Sequence, residues 1–295
     1  MPESGILFAS VLNGLTTGAV YALIALGLTL IYGVLHIINF AHGAALMMAL
    51  YGVYFLHQKA GLDPYASLPV MVAAMFAAGY LLYRFVIGKA SHGKDENILL
   101  VTLGISIVLE NLALFLWKSD TRNIETAYTF STVAIGSAMI AVPKVVAFGG
   151  ALAATAVLLA IIGLTDLGRA IRACASERQG AKLVGIDVEH VFAMSFGIGL
   201  ACLGAAACFL LPAYYVNPQV GNGFVLIAFT VVVLGGMGSF VGALIGGFLI
   251  GVVESVGGLW LGVARTDRNI PHLHRGVAIP PARIVWGTCV RRTKA

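Results

Sequence analysis

The chain has 295 residues, 59% hydrophobic and 11% charged, with a mean hydropathy of +0.94. A soluble domain carries roughly 45–50% apolar and about 25% charged residues, so a water-soluble core is excluded and lipid is the expected solvent. The formal charge of +5 is uneven: residues 265–295 hold seven basic residues against one acid, and the other 264 residues carry −1. The body of the chain is therefore not expected to bind nucleic acid, although a basic chain ordinarily suggests it.

A helix needs about 20 apolar residues to cross the roughly 30 Å hydrocarbon layer. Eight hydrophobic segments meet or approach that length, at approximately 6–33, 38–57, 66–88, 97–117, 142–164, 190–212, 223–240 and 242–263. The expected fold is all-α, a polytopic transmembrane bundle, with a transmembrane domain at 1–264 and a basic tail at 265–295. Met1 to Gly5 contains no Lys or Arg, so a cleavable signal peptide with its basic start is not expected. The last two segments form one run from Phe224 to Val263, broken only by Gly235-Gly236-Met237-Gly238-Ser239. Glycine ends a helix cheaply, and the run is too long for one crossing.

Loop charges give the orientation. Arg84, Lys89 and Lys94 follow the third segment, and Arg169, Arg172, Arg178 and Lys182 follow the fifth. Two crossings separate these loops, so they share a side, and the positive-inside rule places both in the cytoplasm. The mixed loop 118–141 then faces outward. The N-terminus also lies outside unless one of the first two segments is re-entrant.

Small residues let membrane helices approach closely. The steps Gly14/Gly18, Gly242/Gly246 and Gly247/Gly251 point to a tight bundle or to a glycine-faced subunit contact. Polar groups within the spans are costly unless they meet a partner or a watery path. Asn13, Asn39, His42, Glu110, Asn111 and Glu254 are the candidates, either lining a substrate path or bonding a neighbouring helix. Asn39 and His42 are expected to bond freed backbone groups where a helix starts. His42 has no second ligand at helical spacing, so no metal site is expected.

No catalytic residue is expected, because no nucleophile–base series or zinc-protease motif occurs in a supporting setting. Gly88 to Asp95 mimics a phosphate loop, but Asp95 stands where Ser or Thr would hold magnesium and no strand precedes it. The chain is expected to bind no cofactor. Cys174, Cys202, Cys208 and Cys289 are scattered and are read as free and structural.

The loop 165–189 is Ala-rich, carries charges of both signs and favours a short helix between Gly168 and Gly185. Such a helix lies outside the membrane, where a cytosolic partner can grip it or where it rests on lipid headgroups.

Three stretches carry a resemblance. They are Gly14-Leu15-Thr16-Thr17-Gly18-Ala19-Val20-Tyr21-Ala22-Leu23 with Ile38-Asn39-Phe40-Ala41-His42-Gly43, the loop from Gly168 to Gly185, and Val233-Leu234-Gly235-Gly236-Met237-Gly238-Ser239. In order and spacing, over roughly residues 5–263, the chain resembles the LivH-type permeases of branched-chain amino acid ABC importers. The resemblance implies a subunit that pairs with a second permease in the bacterial inner membrane. Two cytosolic ATPases use the ATP, and a periplasmic substrate-binding protein delivers the cargo. It also implies that Gly168, Arg169, Arg172, Glu177, Ala181 and Gly185 belong to the coupling loop that docks on an ATPase. Family members also carry other amino acids, amides and urea. A stand-alone channel or secondary transporter and an intramembrane enzyme are the alternatives; the first leaves the coupling-like loop unexplained.

The tail departs from the family, whose members usually continue into a further apolar span ending like AVLLFRPQGLFG. Codons built from the last two bases of one residue and the first of the next, starting at Arg275/Gly276, permit A-V-L-L-F-R-P-(Q or H)-G-L-F-G across Gly276 to Gly287. Upstream, Asn269 to His274 permits another hydrophobic run. The tail is expected to be a frame-shifted translation of the ordinary last span.

Overall fold

In lipid every backbone polar group needs a partner within the chain, which favours helices throughout. The computed structural model describes residues 4–90, 95–136 and 138–277. In order these form α1 (Ser4–Leu35), α2 (His42–Ala60), α3 (Leu68–Leu82), a π-helical turn (Tyr83–Ile87), α4 (Gly88–Ala90) and α5 (Asp95–Trp117). The hairpin β1 (Thr132–Ile135) and β2 (Ala138–Ala141) follows, then α6 (Val142–Leu164), α7 (Asp166–Ser176), α8 (Arg178–Leu183), α9 (Val188–Leu210), α10 (Val220–Gly235) and α11 (Phe240–Val277). Each of the eight hydrophobic segments is a helix, and the glycine run at 235–239 separates α10 from α11 as expected. Six of these helices are long and apolar enough to cross a membrane; α10, with 16 residues, is shorter, and α2 has polar ends.

The chain divides into two compact units, Met1–Val256 and Gly257–Ala295. The helical backbone of α11 continues to Val277, past the segment end read at 263. Residues 278–295, including Cys289, lie outside the described residues, as do residues 91–94 of the phosphate-loop mimic.

α1 and α9 are the central pair of the first unit. Each has 89% of its apolar window buried, against 22–28% for the other four long apolar helices. α9 packs on α1, α2, α3 and α6, and α1 packs on α6, α9 and α10. Glycines set how closely these helices cross. A Cβ on Gly204 would lie 2.8 Å from the Met71 carbonyl oxygen, and one on Gly79 would lie 2.9 Å from that of Phe196, so α3 and α9 meet backbone to backbone. The steps singled out in the sequence serve an internal contact. Gly14 and Gly18 of α1 face Val252 and Gly247 of α11, with hypothetical Cβ distances of 2.6 and 2.7 Å.

The segment between α1 and α2 turns back into the bundle. His36 has φ +58, and Nε2–H of His42, the first residue of α2, donates to the Ile24 carbonyl at 3.0 Å. Ile24 lies about 16 Å along α1 from Leu35 at 1.5 Å per residue, so α2 begins at mid-depth. The first two segments thus consist of one full crossing and one that starts inside. The end of α5 meets the middle of α2, where Tyr51 stacks on Trp117 at 4.1 Å. The loop 118–141, read only as mixed and outward, contains the β1–β2 hairpin, paired from Thr132↔Ala141 to Ile135↔Ala138. It is tied to the loop after α9 by paired backbone bonds between Arg122 and Val216 of 2.9 and 2.8 Å.

Candidate functional site

Two loop regions of the bundle carry ordered structure, one formed by α7 and α8 and the other by the hairpin. At the first, the single short helix expected between Gly168 and Gly185 is two helices meeting at a corner. Thr165 caps α7, its hydroxyl accepting from Gly168 N–H at 3.1 Å. Gly168 is buried against the Ile162 carbonyl, where any Cβ would collide. Arg172 donates to that carbonyl. Glu177 is extended at φ −154, ψ 109 and caps α8 by accepting from Gln179 N–H at 3.1 Å. A single residue therefore ends one helix, its backbone N–H donating to the Ala173 carbonyl at 3.0 Å, and starts the next through its carboxylate. Gly185, at φ +88, closes α8 in the left-handed conformation that favours glycine.

The pair is fixed to the membrane helices by its buried face. Ile171, Cys174 and Ala181 are buried, and burial pushes the Cys174 thiol pKa up while the charge of Arg178 pulls it down. Arg178 donates to the Leu35 carbonyl at the end of α1 and lies 5.2 Å over the Phe192 ring. Arg178→Met removes both and is expected to lower stability by about 1.5–3 kcal/mol, read as a drop in Tm in detergent; an unchanged Tm would count against this anchor. Of the loop residues singled out, Gly168 and Ala181 are buried, Arg172 and Glu177 shape the turns, and Arg169 pairs with Asp166 at the surface. The sequence reading missed Leu183 and Val184, which project into solvent with 88% and 76% exposure. An amphipathic loop offers no pattern that distinguishes an exposed apolar pair from a buried one.

At the hairpin end, Tyr65 and Tyr128 stack at 5.3 Å, and the Tyr128 hydroxyl donates to Asp63 at 2.8 Å. Burial first, then the Asp63 charge, pushes the Tyr65 pKa up to about 12; burial and the Asp63 bond raise that of Tyr128. Both stay neutral and lock the α2–α3 loop to the loop before the hairpin.

The intramembrane polar residues are dispersed into pairs and do not form one site. Asn13 accepts from Lys144 of α6 at 3.2 Å. Glu110 accepts from Ser106 at 3.3 Å and from Asn222 of α10 at 3.5 Å. Asn111 bonds its own helix at Ile107. Asn39 accepts from Ala41 N–H at 3.0 Å, bonding a freed backbone group as expected, although Ala41 is the N-cap. His42 reaches across to α1 instead. Glu254 is exposed on α11 and interacts with the Tyr21 hydroxyl of α1, which also meets Tyr214, itself beside Thr17. Tyr21 and Tyr214 line a cavity of about 330 Å³ with Gln219, Val220, Phe224 and Ile227. Among the described residues no group of three or more His, Cys, Asp or Glu side chains is placed to hold a metal. Cys174, Cys202 and Cys208 are free and buried.

These features have counterparts among known proteins. The family described as "Branched-chain amino acid transport system / permease component" matches residues 10–279. The chain is 35% identical over 274 residues to the high-affinity branched-chain amino acid transport system permease protein BraD of Pseudomonas aeruginosa, covering 87% of this chain and 88% of BraD. It is 33% identical over 274 residues to LivH of Salmonella typhimurium, covering 86% and 87%, and 33% identical over 270 residues to LivH of Escherichia coli K12, with the same coverage. The chain belongs to this permease family. No solved structure matches the permease. The resemblance read from the N-terminal signature, the α7–α8 loop and the glycine turn is therefore that of the family, and the permease is a multi-pass helical membrane protein.

Proposed function

We propose that this permease is the transmembrane subunit of an importer that moves branched-chain amino acids across the bacterial inner membrane and hydrolyses nothing itself. It pairs with a second, different permease. Two cytosolic ATPases dock beneath, and a periplasmic binding protein delivers the amino acid to the hairpin end. The α7–α8 corner supports this most directly: it presents Leu183 and Val184 outward while Arg178 bonds the end of the central helix. The corner is thus suited to receive force from a nucleotide-driven partner, because differential contacts in two partner states are what shift a conformational equilibrium. ATP-dependent leucine uptake into proteoliposomes, with and without the two ATPases, tests this. Uptake without them would favour a stand-alone transporter.

We also propose that residues 265–295 are a frame-shifted version of a further apolar span. The reading is supported by the alternative codon register and by the confinement of the excess positive charge to that segment. Reading the coding DNA near residue 264 is expected to reveal an open apolar frame, and a polar frame there would end the idea.

A further inference from the structure

The second half of the first unit repeats the first half upside down. α1 and α9 run in opposite directions, since Arg178 of the α7–α8 corner reaches both Leu35 at the end of α1 and Phe192 near the start of α9. Each is followed by a shorter helix that begins inside the bundle, α2 after α1 and α10 after α9. Gly221 of α10 lies against Gly43 of α2, so α10 also starts at mid-depth, and it ends at the glycine turn where Gly238 lies beside Gly33 of α1. α2 therefore runs towards the hairpin and α10 towards the α7–α8 corner.

The packing partners are exchanged in the same way. α2 packs on α9 and α10 on α1; α3 meets α9 backbone to backbone at glycines, and α11 meets α1 likewise. Only on the axis of a two-fold relation can a residue touch its own counterpart. Two glycine pairs do so reciprocally. A Cβ on Gly27 would lie 2.5 Å from the Gly199 carbonyl oxygen and one on Gly199 would lie 2.9 Å from that of Gly27, while Gly43 and Gly221 each face the other's carbonyl. Inverted repeats of this kind recur in membrane transporters.

Aligning α2 with α10 on Gly43 and Gly221 shows what the second half lacks. Leu46, Leu50 and Val53 fall on Phe224, Ala228 and Val231, and all six are buried. On the other face of α2, Tyr51 and Phe55 lie against Trp117 of α5 at 4.1 and 5.3 Å, and Met48 borders a cavity of about 350 Å³ with Ile105 and Leu109 of α5. Tyr51 is wholly buried there, but the counterparts on α10, Phe229, Val233 and Leu226, are 38%, 47% and 67% exposed. The helix that follows α3 covers α2; among the described residues no helix follows α11 to cover α10. Apolar surface facing lipid costs little by itself, so the correspondence with α2, rather than the exposure, marks this face as a seat.

We propose that the face of α10 carrying Leu226, Phe229 and Val233 seats a further transmembrane helix of this chain, which packs on α10 as α5 packs on α2. The occupant is the apolar span of the alternative frame, which follows α11 in sequence as α5 follows α3, and the assignment rests on the frame reading above. α11 runs towards the hairpin end, so this helix returns towards the α7–α8 corner and brings the C-terminus to the cytoplasmic side.

The test places a photo-reactive side chain, Phe229→p-benzoylphenylalanine, in two full-length chains, one with the sequence given and one with the frame restored after residue 264, each in bacterial membranes with the other importer subunits. In the restored chain the probe is expected to cross-link to the chain's own last span, and a C-terminal tag to be cut by protease only from the cytoplasmic side. In the unrestored chain the same probe is expected to label lipid. Tyr51→p-benzoylphenylalanine is expected to label α5 near Trp117 in both. A restored chain whose tag stays outside ends the frame reading, and the occupant with it. A restored chain whose tag is cytoplasmic but whose position 229 labels lipid or the second permease overturns the seat and leaves the frame reading standing. A Tyr51 probe that misses α5 overturns the correspondence from which the seat is drawn.

Discussion

Gly247→Leu is expected to prevent α1 and α11 from docking, and the variant to be lost as a monodisperse species on detergent extraction. The space is already filled by backbone: a Cβ at position 247 would lie 2.6 Å from the Cα of Ala22. Real Cβ atoms do not sit that close, so even the first added carbon forces the helices apart. The facing positions on α1 offer no relief, because Gly18 meets the Gly247 carbonyl at a hypothetical 2.7 Å and Gly14 meets Val252 at 2.6 Å. Overpacking a filled core costs about 1–3 kcal/mol, and in lipid the loss is compounded because close van der Waals contact is itself the main force joining helices. Gly149→Leu is the control, since a Cβ there meets nothing within 4 Å. Fluorescence-detected size exclusion of both variants checks the prediction. Equal, sharp peaks would show that α11 has a second way to pack.

The double change Leu183→Asp with Val184→Asp is expected to abolish ATP-driven uptake while leaving the fold intact. These side chains are 88% and 76% exposed, so their removal costs the isolated subunit little; surface substitutions usually stay within about 0.5 kcal/mol. In a docked complex the same positions would carry two carboxylates into an apolar groove, where an unpaired charge is heavily penalised. Pull-down of the ATPases by the purified variant, with Tm as the folding control, is expected to show loss of docking at unchanged Tm. Retained docking with normal uptake would move the coupling contact elsewhere on the loop.

Much of the bundle was legible because lipid imposes a simple rule. Eight apolar runs became eight helices, and Gly235 to Ser239 broke the longest run where two glycines with φ +89, Gly236 and Gly238, turn the chain. What escaped were features that depend on neighbours distant in sequence. The hairpin at 132–141 has strands of only four residues, one of them exposed throughout, too short to impose a strict alternation of apolar and polar residues. The α7–α8 corner needs Glu177 extended, which is not dictated by a sequence of good helix formers. Tyr21 and Tyr214 read as ordinary apolar-span and loop aromatics; only the fold sets them against each other and Glu254. By contrast, the glycine steps were visible as pattern, yet their role was open until α11 was seen to lie against α1.

α1 runs from Ser4 to Leu35 without a proline, whereas the helix after Leu68 is interrupted by a π-turn at Tyr83–Ile87. Kinks in helices arise at prolines and π-bulges, so these two rods differ in stiffness. A tug on Arg178 is delivered to the Leu35 carbonyl and travels up a strut that has no such joint below Tyr21, while α3 can bend at a joint of its own. Of the two rods α1 is thus the stiffer, and a displacement at its Leu35 end would be passed along it rather than taken up by a bend.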